Sequence, residues 1–198
     1  VNNTESYASI PWILQYGGQA FQDLGVPNSG GTKLFSVSGH VEKPGNYEVK
    51  MGTPFTELLA MAGGIWKGRT LKAVIPGGPS TAVMPASAIM GATMDYEGLS
   101  KAGSSLGAGS MIVMDDTTCM VTTLKRLSYF FYEESCGQCT PCRVGTTKAA
   151  QLMQAKVWDN HTLEDLNQVM ADASICGLGQ AAPNPVRCVQ KYFPLEIV

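Results

Sequence analysis

Three cysteines recur at every third position in Cys136-Gly137-Gln138-Cys139-Thr140-Pro141-Cys142, and a fourth, Cys176, follows far downstream. A chain written this way must fold so that a tight loop and a remote segment meet at one point. A triplet plus a distant cysteine is the ligand pattern of a [4Fe–4S] cubane, in which each iron takes one thiolate. Two residues between ligands let the loop wrap one corner of the cluster, with backbone N–H groups turned toward the sulfides. Four cysteines also make a closed zinc site, although zinc usually takes its ligands as two separate Cys-x-x-Cys pairs. A disulfide framework is the third reading, and it suits small secreted domains that lack a core. Because all four corners carry cysteine, the pattern favours electron transfer over Lewis-acid catalysis at an open iron.

With 198 residues, 44% of them hydrophobic, the chain can bury one large core or two small ones and needs no disulfide staples. No secretory signal leads it. Free thiols at this density suit a reducing, cytosol-like compartment. A formal net charge of −2 lacks the basic face that nucleic acid requires. No apolar run is long enough to cross a bilayer, so direct membrane insertion is not expected. The opening at Val1 reads like the interior of a longer protein.

Local patterns divide the chain into three stretches, 1–31, 32–116 and 117–198. In the first, Pro11 suits the opening position of a helix carrying Trp12, Ile13 and Leu14, and Pro27 to Gly31 reads as a linker. From Thr32 the period becomes two: Lys33, Phe35 and Val37 alternate with Leu34, Ser36 and Ser38. Turn chemistry at Lys43-Pro44-Gly45-Asn46 predicts a hairpin into Tyr47-Glu48-Val49. Thr53 is placed to N-cap a short helix with Pro54 at its first position and Phe55, Leu58, Leu59 and Met61 at helical spacing. Strands are expected at 71–75, 82–85 and 111–114. That sequence of elements describes a compact α+β unit of the ubiquitin-like, β-grasp kind.

After Asp116 the pattern is all-helical. Thr117 or Thr118 is the expected N-cap of a helix whose stripe is Val121, Leu124, Leu127, Phe130 and Phe131. Cys142 begins the next helix, Thr162-Leu163-Glu164-Asp165 reads as a capping box for a third, and Pro185 opens a fourth. The fold class is therefore α+β: a β-grasp unit followed by a four-helix bundle with its cysteine loops at one end. Cys119 and Cys188 stand singly in apolar helical contexts and are expected as small buried hydrophobes. Arg143 either lends a fixed positive charge to the cysteine pocket or lies solvated on its helix. His40 and His161 are expected to be structural. Pro76-Gly77-Gly78-Pro79 and Gly177-Leu178-Gly179 match no nucleotide-binding fingerprint, and no flavin site is visible.

The stretch Glu134-Ser135-Cys136 through Cys142-Arg143-Val144-Gly145 closely resembles the cluster loop of a family of flavin- and NADH-oxidising subunits. That family includes the FMN- and NADH-binding subunit of respiratory complex I and the matching subunits of NAD-reducing hydrogenases and NAD-dependent formate dehydrogenases. Gly31-Thr32-Lys33-Leu34-Phe35, Ser38-Gly39-His40-Val41 and Ile75-Pro76-Gly77-Gly78 resemble its SLBB β-grasp domain, and Ser174-Ile175-Cys176 the loop of the fourth ligand. Val1-Asn2-Asn3-Thr4-Glu5 is similar to a segment that closes over FMN. The resemblance covers essentially the whole chain and implies the C-terminal part of such a subunit, with 1–31 a remnant of the flavin domain and its linker. It implies a [4Fe–4S] cluster on Cys136, Cys139, Cys142 and Cys176, taking single electrons from FMN reduced by NADH. It also implies FMN contacts from Asn2 and Asn3, and two partners: a thioredoxin-like [2Fe–2S] subunit and an iron–sulfur acceptor subunit. Such a complex would be cytoplasmic, or peripheral on the inner membrane through its partners. Val144 stands where complex I members usually carry Glu, which leans toward the hydrogenase or formate dehydrogenase branch. A different class stays open as well, a binding or scaffold module in which a metal only holds the bundle together.

Overall fold

The computed structural model describes residues 1–197. Contacts divide the chain into two compact units, one of residues 1–78 and 85–116, the other of 79–84 and 117 onward.

The first unit begins with helix α1 (Thr4–Tyr16), capped by Asn3, whose side-chain oxygen accepts the Glu5 amide at 2.7 Å. With the cap at Asn3, Pro11 falls inside the helix, not at its start as the sequence suggested. Gly17, at φ 90°, breaks the chain direction before α2 (Gly18–Gln22). Strands β1 (Thr32–Gly39) and β2 (Gly45–Lys50) form the expected hairpin, Thr32 opposite Lys50 and Val37 opposite Gly45. Helix α3 (Phe55–Met61) takes Pro54 as its N-cap, and Thr53 instead donates its hydroxyl to the Lys50 carbonyl. The β2 turn thus claims the threonine first. Strand β3 (Leu71–Ile75), the two-residue β4 (Met84–Pro85), helices α4 (Ala86–Ile89) and α5 (Tyr96–Lys101) and strand β5 (Ser110–Asp115) complete the order. The expected strand over 82–85 is thus confined to Met84–Pro85.

The sheet runs β2-β1-β5-β3-β4, with β1 and β5 parallel at its centre and antiparallel pairs on either side. Period-two alternation sends Phe35 and Val37 inward and leaves Leu34 exposed. Phe55 and Leu58 of α3 are fully buried, and each such side chain contributes about 1.5–3 kcal/mol of burial. One polar cluster is sealed within this unit. Asp115 is 0% exposed; Trp66 Nε1 donates to its Oδ2 at 2.7 Å and His40 Nδ1 stands 2.9 Å from its Oδ1. His40 stacks on Trp66, so it is structural here.

The second unit holds α6 (Met120–Glu133), α7 (Thr140–Leu152), α8 (Asn160–Ala173), the short α9 (Gly177–Ala181) and α10 (Pro183–Tyr192). Helix α7 packs on α6 and α8, α10 on α6 and α8, and α9 on α7 and α8. Several helix starts differ from the sequence reading. Helix α6 begins at Met120 with Cys119 as its N-cap, so neither Thr117 nor Thr118 caps it. The amide and hydroxyl of Thr122 face the Cys119 sulfur and lower its pKa, and Cys119 is exposed, not a buried hydrophobe. Cys188 is half-buried, and burial raises its pKa. Asp159 caps α8 by accepting the Thr162 amide at 3.0 Å, which makes Thr162 the third helical residue and not the cap. Helix α10 opens at Pro183, not Pro185. The buried stripe of α6 is Met120, Leu124, Leu127 and Phe131, one face at helical spacing, and Phe130 turns outward.

Candidate metal centre

Helix α6 ends at Glu133, and the next residues carry the cysteine loop into α7. Gly137 turns that loop at φ +76°, a left-handed conformation that a side chain would strain. Arg143 reaches back from α7 and donates to the Gly137 carbonyl and, at 3.3 Å, to Thr140 Oγ1. Neither sequence reading of Arg143 anticipated this: the guanidinium braces the loop. Cys139 is the N-cap residue of α7 and Cys142 its third residue, so the amides of the first helical turn face the cysteine loop.

The fourth cysteine arrives between α8 and α9. Ser174 ends α8, and its carbonyl accepts the Gln180 side chain at 2.9 Å, closing the loop that carries Ile175 and Cys176. Gly179 makes the meeting possible. A Cβ at that position would lie 2.3 Å from Ser174 Oγ and 2.9 Å from Cys142 Cβ, so the start of α9 lies against α7 with no room for a side chain.

Burial raises the Cys142 pKa, the Ser135 hydroxyl opposes that, and Cys139, Cys176 and Cys136 each raise it further as nearby like charges. The amides of Ile175 and Cys142 face the Cys139 sulfur and lower its pKa, helped by Ser174. Hence Ile175, in the loop of the fourth cysteine, touches the electrostatics of the triplet. Cys142 is buried, Cys139 half-buried, and Cys136 and Cys176 exposed. Among the described residues no three His, Cys, Asp or Glu side chains are grouped as ligands of a single metal ion. A cubane spreads its thiolates over four irons and so needs them farther apart than a lone ion does. All six cysteines are free thiols.

This donor set fits an iron–sulfur cluster. Four free cysteines are available as ligands, the Ser135 hydroxyl stands 3.3 Å from the Cys142 sulfur, and the buried side at Cys142 is dry. Asn2 and Asn3 lie in the other unit. Asn3 caps α1, and Asn2 Nδ2 donates to Tyr7 Oη at 3.3 Å. Sequence reasoning passed over Ser135, Ser174 and Gly179 as participants; only their adjacency to the cysteines pointed to them. No helix among the described residues is long and apolar enough to cross a membrane.

Two family models match the chain. Residues 122–198 match the NADH-ubiquinone oxidoreductase-F iron–sulfur binding region, and residues 34–83 match the SLBB domain. The NADH-quinone oxidoreductase F subunit of Rickettsia bellii (strain OSU 85-389) is 43% identical over 100% of this chain and 49% of its own length. That of Rhodobacter capsulatus is 42% identical over 100% and 48%. The chain thus spans about half the length of the curated relatives it matches. Among solved structures, an NAD+-reducing [NiFe]-hydrogenase in the H2-reduced state aligns with a TM-score of 0.89 and 33% identity, over 99% of this chain and 34% of that one. Sequence identity is thus higher to the quinone oxidoreductase subunits, and the lean toward the hydrogenase branch gains nothing from it. The chain thus carries an SLBB domain and the iron–sulfur binding region of the NADH-ubiquinone oxidoreductase F type, and along its whole length it is similar to about half of the NADH-quinone oxidoreductase F subunits.

Proposed function

We propose that this chain is the electron-relay part of an NADH:acceptor oxidoreductase, holding one [4Fe–4S] cluster on Cys136, Cys139, Cys142 and Cys176. The observation that carries the reading is the meeting of the two cysteine loops: Gly179, three residues past Cys176, packs against Cys142 with no room for a side chain. When bound, such a cluster supplies one-electron exchange. The residues of this chain do the rest. Cys142 and Cys139 anchor the side closed by α7, Gly179 lets the fourth-cysteine loop approach, and Arg143 fixes the turn at Gly137.

In this reading 1–31 is a remnant of the flavin domain with its linker, 32–116 is the SLBB unit and 117–198 is the cluster unit. NADH and FMN belong to the full-length subunit. Asn3 spends its side-chain carbonyl on capping α1, so its NH2 group is the one that would reach a flavin, as would the carbonyl of Asn2. The partners are a thioredoxin-like [2Fe–2S] subunit and an iron–sulfur acceptor subunit, in a cytoplasmic complex or one held peripherally at the inner membrane. A place in a soluble NAD-reducing hydrogenase or formate dehydrogenase is the second reading, and the backbone similarity to a hydrogenase chain supports the first of these.

Anaerobic reconstitution tests the proposal. It should give about four irons per chain and a paramagnetic signal on reduction, both lost in Cys139→Ala or Cys176→Ala. Iron-free protein that retains stoichiometric zinc, or a metal that changes oxidation state at no accessible potential, would leave only the scaffold reading.

A further inference from the structure

Two serine hydroxyls, one from each cysteine loop, stand against the sulfurs. Ser135 Oγ lies 3.3 Å from Cys142 Sγ, and at 3.4 Å the Gly137 amide donates to the same oxygen. That amide occupies a lone pair of the hydroxyl and leaves its hydrogen free to turn to sulfur. A metal-bound thiolate has no proton of its own, so in the loaded site Ser135 is the donor. Ser174 is only 5% exposed, and its Oγ has no hydrogen-bond partner. Yet it is wedged at the contact of Gly179 with Cys142, where the two cysteine loops meet. A buried hydroxyl left unpaired is destabilising. A sulfur acceptor brought in with the cluster removes that cost.

We propose that Ser135 and Ser174 are positioning residues that set the reduction potential, by donating O–H···S hydrogen bonds in the loaded site, Ser135 to Cys142 and Ser174 to sulfur of the cluster or its ligands. This inference rests on the cluster proposed above. Reduction adds negative charge to a site whose Cys142 side is dry, and burial alone opposes it. Donors aimed at cysteine sulfur offset that opposition, and here they come from both segments that bring the ligands together. Losing either hydroxyl therefore makes the site harder to reduce without removing a ligand.

The test is a spectroscopically monitored redox titration of the reconstituted chain beside Ser135→Ala, Ser174→Ala and the double variant. Each single variant should keep its iron. At a fixed ambient potential its reduced-to-oxidised ratio should fall by about threefold to tenfold, with the double variant falling further. Ser135→Thr, which keeps the hydroxyl, should restore the wild-type ratio. Independently of any variant, the Fe–S(Cys) stretching bands of the wild-type protein should shift between H2O and D2O. Alanine variants that load iron and titrate like wild type would overturn the inference, as would wild-type bands unmoved by D2O. A wild-type chain that takes up no iron would fail the cluster reading itself, and that result is separate from both.

Discussion

Asp115 of the sheet unit and Ser174 of the helical unit, both buried polar side chains, are treated differently by their surroundings. In the sheet unit the fully buried Asp115 is met inside the protein by the Trp66 indole and His40, with Arg69 Nε 3.6 Å away. In the helical unit Ser174 Oγ and Asn167 Oδ1 are buried without partners, as Ser29 Oγ is in the sheet unit, and of the three only Ser174 lies in a cysteine loop. The buried carboxylate of the first unit is answered within the fold; the buried hydroxyl beside the cysteines of the second is not. The contrast shows where to look for function, because unmet polar groups beside a cluster of like charges are destabilising unless a ligand answers them.

The sharpest way to break that contrast is to remove the metal. Chelation under anaerobic conditions should lower the thermal stability of the helical unit strongly, because metal binding energy there is folding energy. Near-ultraviolet signals from Trp66 in the sheet unit should stay in place. Equal loss in both units would contradict the division. Next in size is Phe35→Ala, which empties a fully buried site of the sheet. It should cost about 3–5 kcal/mol in urea unfolding while leaving iron content per folded molecule unchanged. Asp115→Ala strips the shared partner from Trp66, His40 and Arg69 and should cost about 3 kcal/mol, again with the metal centre intact. Gly179→Ala probes the other side: its methyl group would meet Ser174 Oγ at 2.3 Å. An overpacking cost of about 1–3 kcal/mol should appear together with reduced iron retention, a pairing no sheet variant should show.

The smallest effect is electrostatic. Arg187 of α10 donates to Glu164 of α8, from Nε at 3.0 Å, and this bond holds the Glu164 carboxyl below its ordinary value of 4.5. A folded-state pKa below the unfolded one gives stability that is present above pH 4.5 and lost as pH falls through the lower value. The pair is partly exposed, so its contribution is no more than about 1 kcal/mol. Glu164→Gln should lower helical-unit stability slightly at pH 7, and its difference from wild type should shrink as pH falls below 4.5.

How much of this was legible in the sequence differs between the units for physical reasons. Period-two alternation and the Pro44-Gly45 turn are local, so the hairpin and the inward Phe35 and Val37 could be read directly. The Cys136–Cys142 spacing is local too, and it pointed to the loop. Helix starts failed where several capping residues competed: Asn3 displaced Pro11 from the first position, and Asp159 displaced Thr162. The threonine at Thr53 was taken by the β2 turn. Roles that depend on a remote partner left no local trace. The brace from Arg143 to Gly137, the cap at Cys119 and the clearance at Gly179 exist only once distant backbone has come close.

Native mass spectrometry of the anaerobically reconstituted chain tests the central claim most directly. One assembly of four irons and four sulfides should ride on each wild-type molecule, and Cys176→Ala should not retain it intact. A single bound ion, or an assembly that survives unchanged without the thiol of residue 176, would contradict the account.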